Sequence, residues 1–298
     1  MRVFVTGATG FVGSAVVQEL IQAGHEVLGL ARSDAGARSL LAAGARVHPG
    51  DLTNRDSLRS GAAASDGVIH TAFIHDFSKF KENCEIDRRA IEALGDALAG
   101  SNRPLVITSG TGMGNTVPGQ PATEDNFNAH DPNPRSASEL AGISVAERGV
   151  NVSVVRLPQV HDRDKHGLVT YSIALAREKG ISAYIGEGLN RWPAVHRLDA
   201  APVYRLALEK GIAGARYHAV AEEGVTTRAL AEAIGRGLKI PVVSQSGAEA
   251  AAHFGWLAMF AARDLPASSA LTQQRLGWRP TQKAGMIDDL DHASAFGA

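Results

Sequence analysis

The fold is decided by the stretch Val3-Phe4-Val5-Thr6-Gly7-Ala8-Thr9-Gly10-Phe11-Val12-Gly13. Its apolar start predicts a buried strand, and a helical pattern over Ser14–Ala23 follows the glycines. In such a unit Gly7 allows the tight turn, Gly10 lets a pyrophosphate approach the backbone, and Gly13 allows close helix–strand packing. The phosphates would then meet free backbone N–H groups at the positive end of the helix. The stretch therefore predicts a dinucleotide-binding turn, with an unliganded structural turn as the alternative.

The segments after this turn alternate between short β-branched runs and helical patterns. Several of the runs are apolar on both faces, as strands of a parallel sheet covered by helices must be. Regular β-α alternation with short links predicts an α/β fold with a doubly wound parallel (Rossmann) sheet. The predicted strands are Arg2–Val5, Glu26–Leu30, Ala45–His48, Gly67–Thr71, Leu105–Thr108 and Asn151–Arg156, and the predicted helices after the first are Ala35–Ala43, Arg55–Ala64, Cys84–Ala99 and Arg135–Arg148.

The rhythm changes after about Leu157, where Gly, Trp and Pro clusters interrupt the pattern. We therefore expect a smaller, partly interleaved α/β substrate domain. The predicted division gives residues 1–157 to the Rossmann domain, with 195–212 returning to it, and 158–194 and 213–298 to the substrate side. Helices are predicted there over Tyr171–Lys179, Asp199–Lys210, Thr227–Leu238 and Ala248–Ala261.

Composition excludes several classes of protein. The chain has 298 residues, 44% hydrophobic and 20% charged, with a formal net charge of −1, so no global field favours nucleic acid or an anionic membrane surface. Cys84 is the only cysteine, which excludes an intramolecular disulfide and a zinc site built from several thiolates. We find no leader pattern and no apolar run of ~18 residues, so a cytoplasmic protein is expected.

The end of the second predicted strand bears on the choice of cofactor. An NAD site usually carries an acidic residue there to accept a hydrogen bond from the ribose 2′-hydroxyl. This chain has Arg32 and Ser33, which suit a 2′-phosphate instead. Asp51 and Leu52, after the third strand, are expected at the adenine. NADP (NADPH) is therefore predicted and NAD is less favoured, with an exposed helix-start arginine as the alternative reading of Arg32.

The glycine turn, preceded by Thr6, resembles the TGxxGxxG motif of the extended short-chain dehydrogenase/reductase superfamily, and the likeness runs through nearly the whole chain. The similar segments are His70-Thr71-Ala72, Ile107-Thr108-Ser109-Gly110, Val155-Arg156-Leu157-Pro158-Gln159-Val160, Val195-His196-Arg197-Leu198-Asp199-Ala200-Ala201 and Leu276-Gly277-Trp278-Arg279-Pro280. Together, the glycine motif and this resemblance imply a cofactor site formed by Gly7, Thr9, Gly10, Phe11, Val12, Gly13, Arg32, Ser33, Asp51, Leu52, Thr71, Ala72, Arg135, Leu157, Pro158 and Val160.

The chain departs from the superfamily at its catalytic Tyr-x-x-x-Lys. Arg135 occupies the Lys register, Asp131 stands where Tyr is expected, and no tyrosine occurs between Met1 and Thr170. This pattern resembles an atypical branch, and the helix position of the family's relay asparagine is read as Asp87. An arginine does not exchange protons near neutral pH, so Arg135 is predicted to orient the ribose and supply charge. Alternatively, Arg135 is an exposed residue at the start of the helix and forms an ion pair with Glu139.

Three residues are predicted to be catalytic. Besides Arg135, Ser109 lies where the superfamily has a hydroxyl that polarises the substrate oxygen, and His130 is the predicted proton donor because imidazole titrates near neutrality. Alternatively, Ser109 only forms a hydrogen bond at the end of its strand, and His130 is only an exposed loop residue. The predicted substrate-binding residues are Thr111, His161, Arg191, Trp192 and His196. For Trp192 a role as a core aromatic is the competing reading, and no metal site is predicted.

These observations favour an NADP-dependent oxidoreductase that transfers hydride between nicotinamide and a carbonyl or alcohol substrate. The alternatives are an epimerase or dehydratase that retains its cofactor, and a non-catalytic NADP-binding regulatory protein. A small-molecule substrate is expected, without nucleic acid or membrane partners. The Ala-rich helices at Cys84–Ala99 and Arg135–Arg148 allow a homodimer.

Overall fold

The computed structural model describes residues 1–296, so the last two residues of the predicted division, 297–298, lie outside the described part. Its main sheet has seven parallel strands in the order β10-β6-β5-β4-β1-β2-β3, which confirms the predicted doubly wound class. The strands of residues 1–296 are β1 (Arg2–Thr6), β2 (Glu26–Ala31), β3 (Arg46–Pro49), β4 (Gly67–His70), β5 (Pro104–Gly110), β6 (Asn151–Leu157), β7 (Gln159–His161), β8 (Ser182–Ile185), β9 (Arg191–His196), β10 (Arg216–His218), β11 (Glu222–Thr226) and β12 (Val242–Gln245).

Helices cover both faces of this sheet because the central strands are apolar on both sides. Val3 and Val5 pack into one hydrophobic layer, while Phe4, between them, packs into the other. This alternation follows from the two-residue period of a strand. The helices are α1 (Phe11–Gln22), α2 (Asp34–Ala42), α3 (Arg55–Ala63), α4 (Phe80–Leu98), α5 (Ser136–Glu147), α6 (Val169–Lys179), α7 (Arg197–Lys210), α8 (Thr227–Leu238), α9 (Gly247–Phe254), α10 (Ala258–Ala261), α11 (Ala270–Leu276) and α12 (Met286–Asp291).

The chain passes repeatedly between the main sheet and a second unit. Helix α7 packs against α1 in the layer that also contains Tyr204 and Trp278. Strand β10 then pairs in parallel with β6, with Tyr217 opposite Val155. The predicted division assigned all of residues 213–298 to the substrate side, whereas β10 lies in the main sheet. This strand is only three residues long, which left no periodicity to detect.

The second unit contains two small sheets, β11-β9-β7 and β12-β8, packed against α6, α8 and α12. The single helix predicted over Ala248–Ala261 is wrong, because Gly255 adopts a positive φ of 53° and separates α9 from α10. Among residues 1–296, the helices are all too short or too polar to span a bilayer.

Candidate active site

The glycine turn forms a close-packed cradle at the carboxyl edge of the main sheet. Gly7 has a positive φ of 67°, and its backbone oxygen accepts a hydrogen bond of 2.8 Å from the Gly10 N–H. A Cβ on Gly13 would lie 2.0 Å from the Gly7 oxygen, and one on Gly7 would lie 2.6 Å from the backbone nitrogen of Ala72. Helix α1 starts directly after Gly10, so its first N–H groups face this edge.

The predicted cofactor residues that follow β2 and β3 lie at the same edge of the sheet. Arg32 is exposed where β2 ends, and the Ser33 hydroxyl caps α2 by accepting from the Gly36 N–H. Hydrogen bonds from Thr53, aided by the Arg32 charge, hold the pKa of Asp51 below its usual value. A cation after β2 and an anion after β3 therefore lie at the end of the sheet where the adenosine is expected.

The remaining predicted cofactor residues lie in the loop after β4, in and before the first turn of α1, and along the segment from the end of β6 to β7. The Thr71 hydroxyl donates to the Thr6 carbonyl at 2.8 Å, and this fixes the loop after β4 against the turn. Phe11 and Val12 open α1, and the guanidinium of Arg197 lies 5.4 Å from the Phe11 ring. Thr9 and Pro158 lie in connections, Leu157 ends β6, and Val160 is buried on β7.

Arg135 lies at the N-terminus of α5 and is the centre of a buried polar network. Its Nη1 donates to Asp87 Oδ2 and to Ser138 Oγ, each at 2.6 Å, and its Nη2 donates to the Thr108 carbonyl at 3.0 Å. The guanidinium carbon lies 4.1 Å above the centroid of the Phe73 ring. Its predicted alternative, an exposed pair with Glu139, is wrong because Glu139 binds Arg156 and Arg216.

Asp87, on α4, is the anion of this network and is fully buried. Burial alone would raise its pKa, but the Arg135 charge and hydrogen bonds from His70 and Ser138 outweigh it and lower the pKa to about 2. The His70 ring joins Asp87 Oδ1, 3.0 Å from Nε2, to Thr6 Oγ1, 2.7 Å from Nδ1. The site therefore contains a fixed ion pair whose hydrogen bonds reach back to the glycine turn.

Tyr204, on α7, also reaches this network but does not replace the missing catalytic tyrosine. The Thr108 hydroxyl donates to the His70 carbonyl at 2.7 Å, so the Tyr204 hydroxyl donates to Thr108 Oγ1 at 2.8 Å. Burial raises the pKa of the Tyr204 phenol, whereas a catalytic tyrosine needs a lowered one. Tyr204 is therefore a packing residue that fixes the end of β5.

Ser109 carries an unsatisfied buried hydroxyl next to this network. Its side chain is 3% exposed, and its Oγ has no hydrogen-bond partner within residues 1–296. Thr111, two residues on, is also buried. A buried hydroxyl without a partner costs about 1–3 kcal/mol, so this group is suited to bind a ligand oxygen.

The predicted proton donor is not joined to these groups. His130 lies exposed on the loop before α5, and within residues 1–296 only its backbone N–H takes part in a hydrogen bond, with Asn128 Oδ1. Asp131, in the tyrosine register, accepts from the Asn133 N–H at 2.8 Å and so stabilises the turn that leads into α5.

Two predicted substrate residues of the second unit have structural roles. Trp192 is buried in the apolar core with Val169 and Leu230, as its competing reading has it, but these side chains also line a small cavity, and the Trp192 Nε1 has no partner within residues 1–296. Arg191 forms a double hydrogen bond with Asp264, at 3.0 Å from Nε and 2.8 Å from Nη2, so its charge is already neutralised.

The two predicted substrate-binding histidines lie together. The His161 Nδ1 is 2.7 Å from Asp289 Oδ2, and the rings of His161 and His196 pack edge to face at 5.7 Å. His161 is buried, whereas His196 caps α7 by accepting from the Leu198 N–H. No group of three or more metal-ligating side chains with metal-binding geometry occurs within residues 1–296.

The glycine cradle, the free N–H groups of α1 and the unpartnered Ser109 hydroxyl fit a dinucleotide whose reactive ring meets the end of β5. The model of the NAD dependent epimerase/dehydratase family matches residues 3–220. A protein of Schizosaccharomyces pombe is 50% identical over 97% of this chain and 98% of its own length. A UDP-glucose 4-epimerase of Streptomyces lividans is 27% identical over 94% of this chain and 92% of its own.

Solved structures show the same fold. A dTDP-glucose 4,6-dehydratase from Streptomyces venezuelae with NAD bound superposes with a TM-score of 0.78 at 20% identity, covering 99% of this chain and 96% of that one. The family match covers most of the described strands and the whole Arg135 network. The chain belongs to the NAD(P)-binding NAD dependent epimerase/dehydratase family, as its resemblance to extended short-chain dehydrogenases/reductases implies.

Proposed function

We propose that the protein is an NADP-dependent oxidoreductase that acts on a carbonyl or alcohol substrate. The observation that carries this proposal is the buried, unpartnered hydroxyl of Ser109, next in sequence to the carbonyl that Arg135 binds. Ser109 offers a neutral hydrogen-bond donor, and Arg135, although paired with Asp87, keeps an Nε–H that has no partner within residues 1–296. Such groups stabilise negative charge on a reacting oxygen without reorganising during the reaction.

Each remaining part of the site then has a defined task. The cradle of Gly7, Gly10 and Gly13 would hold the pyrophosphate, and Arg32 would bind the 2′-phosphate. When bound, the nicotinamide supplies or accepts the hydride. Ser109 donates a hydrogen bond to the substrate oxygen, and Arg135 stabilises the charge that develops there.

The proton for that oxygen has two candidate sources. His130 is the source predicted from the sequence, and solvent water is the second. We favour water, because the His130 imidazole is exposed and takes part in no hydrogen bond within residues 1–296. Arg135 makes this feasible because a stabilised oxyanion can await a proton from solvent.

Arg135→Met should lower kcat/KM for NADPH-dependent reduction of a carbonyl substrate by about 100-fold or more, since removing one oxyanion-stabilising donor has this effect in enzymes. Arg135→Lys keeps the charge and should retain part of the activity. The measurement is NADPH oxidation across a panel of aldehydes and ketones, with thermal melting to verify folding. A folded Arg135→Met protein with unchanged turnover would remove Arg135 from the mechanism.

A companion variant in the same assay decides the source of the proton. His130→Gln should change kcat by less than about 3-fold if water is the donor, whereas loss of a general acid typically lowers the rate by about 100-fold or more. A large loss that is relieved at low pH would restore His130 as the donor.

Cofactor preference is tested at the end of β2. The wild-type protein should bind NADPH more tightly than NADH, by about 10-fold or more, because Arg32 is exposed and can fork onto a 2′-phosphate. Arg32→Asp should reverse this order by accepting from the ribose 2′-hydroxyl. Fluorescence titration with both reduced nicotinamides measures the effect, and equal wild-type affinities would contradict the NADP assignment.

An epimerase or dehydratase with retained cofactor is the second candidate, favoured by relatives such as the Streptomyces lividans UDP-glucose 4-epimerase. It would retain cofactor through purification and turn over substrate without net NADPH oxidation. A non-catalytic NADP-binding regulator would bind cofactor and turn over nothing in the panel. NADPH oxidation by the wild-type protein therefore separates the oxidoreductase from the other two candidates, and cofactor retained through purification separates the epimerase or dehydratase from the regulator.

A further inference from the structure

A continuous series of aromatic rings runs outward from Arg135. The Phe73 ring lies under its guanidinium and contacts Phe80 edge to face, with centroids 6.2 Å apart. Phe80 lies 5.5 Å from Phe77, and Phe77 stacks on Trp256 with centroids 4.4 Å apart and planes 7° from parallel. We call this series, completed by two further rings, the aromatic wall; its members are Phe73, Phe77, Phe80, Tyr171, Trp256 and Phe260.

The aromatic wall joins the two units of the molecule at the carboxyl edge of the main sheet. Phe73 and Phe77 follow the end of β4, whereas Trp256 lies between α9 and α10. The Trp256 side chain is 41% exposed although it is one of the largest apolar groups in the chain. Small-molecule sites favour such junctions, with predominantly apolar linings and a few placed polar groups.

The inner end of the aromatic wall is polar. Arg135 covers Phe73 there, and its contact with the Thr108 carbonyl adjoins the unpartnered Ser109 hydroxyl. An oxygen atom is therefore suited to this end and an apolar ring to the rest. Arg191, a predicted substrate-binding residue, is already paired with Asp264, which disfavours the binding of a diphosphate group by this side chain.

We propose that the partly exposed aromatic wall binds a planar aromatic ketone or aldehyde, with the carbonyl oxygen directed towards Ser109 and Arg135. This inference rests on the proposed function and narrows its substrate class. The Arg135 Nε–H, which has no partner within residues 1–296, complements the carbonyl oxygen. The ring extends the existing series by edge or offset contacts, the geometry that aromatic rings prefer.

Calorimetric titration with methyl naphthyl ketone tests the inference without catalysis. The protein is saturated with NADP+, which cannot reduce a ketone, so the heat reports binding alone. Methyl cyclohexyl ketone is the non-planar control, and UDP-glucose tests the sugar-nucleotide alternative. The naphthyl ketone should bind at least about 10-fold more tightly than the cyclohexyl ketone, because only the former gains aromatic contacts.

Two variants locate the binding surface. Trp256→Ala and Phe77→Leu should each weaken binding of the naphthyl ketone by about 5-fold or more while leaving the cyclohexyl ketone nearly unaffected. Ile212→Ala is the matched control, since this exposed apolar side chain lies on the loop after α7. Thermal melting verifies that each variant is folded, and the partial exposure of Trp256 makes its removal tolerable.

Tighter binding of UDP-glucose than of the naphthyl ketone would overturn the inference, as would unaltered naphthyl ketone binding in both folded variants. The proposed function fails separately, if the protein does not bind NADPH or if none of the carbonyl compounds tested supports NADPH oxidation. Turnover of aliphatic ketones without binding of aromatic ones would contradict only the substrate class.

Discussion

Replacing Gly13 with alanine should weaken NADPH binding by about 100-fold or more, a cost of about 2.7 kcal/mol. The added Cβ would lie 2.0 Å from the Gly7 oxygen and 2.7 Å from the Gly7 carbonyl carbon. Both are backbone atoms, so the turn has to move away from α1, and the N–H groups that would hold the pyrophosphate move with it. Fluorescence titration with NADPH measures the loss.

The matched control is Gly247→Ala at the start of α9, where a Cβ would have no neighbour within 4 Å. It should leave both melting temperature and NADPH affinity essentially unchanged. A Gly13→Ala protein that is folded and binds NADPH with wild-type affinity would show that the turn is only structural.

Asp87→Asn should lower the free energy of unfolding by about 3–5 kcal/mol, the usual cost of removing one partner of a buried ion pair. The carboxylate is fully buried and accepts from Arg135, Ser138 and His70. An asparagine amide has no charge to balance that of Arg135. Its NH2 group would also place a hydrogen-bond donor against partners that themselves donate. Urea denaturation followed by circular dichroism gives the difference.

Asp96→Asn on the same helix is the control. Asp96 pairs with Arg59 and Arg148, each at 3.3 Å, but its side chain is 47% exposed. Exposed pairs contribute about 1 kcal/mol or less, so this variant should be nearly as stable as the wild type. Equal losses in the two variants would contradict the assigned role of Asp87.

The same pair makes stability depend on acid pH. The pKa of Asp87 is about 2 in the folded protein, against an ordinary value of 3.8. Because the folded-state pKa is depressed, its stabilising contribution is complete above about pH 4 and is lost as the pH falls towards 2. The wild type should lose more stability than Asp87→Asn across this interval.

The sequence predicted the main sheet well because its signals are local. The run Val3-Phe4-Val5 is long enough to identify β1, and Gly7, Gly10 and Gly13 meet steric demands that few other residues satisfy. Two other strands, β7 in the second unit and β10 at the edge of the main sheet, have only three residues each and depend on pairing with distant segments. Such strands have no period of their own to detect.

The Arg135 network shows a similar limit at the site. The register of Arg135 could be read from the chain, but its bond to Asp87, 48 residues away, depends on how α4 packs against α5. Trp192 illustrates a second limit, because an aromatic residue before a proline looks the same in the sequence whether it lines a cavity or fills a core. In the structure it does both, and such burial is a property of the whole fold.

The contact between α1 and α7 has a consequence for synthesis on the ribosome. Helix α1 buries Val16 and Leu20 in the same layer as Val203 and Tyr204 of α7. These partners are made almost 190 residues apart, since Val16 is followed only much later by Val203. Domains generally fold as their chain emerges. The apolar face of α1 reaches its full burial only after α7 has left the exit tunnel, so part of this face stays exposed in the nascent N-terminal half.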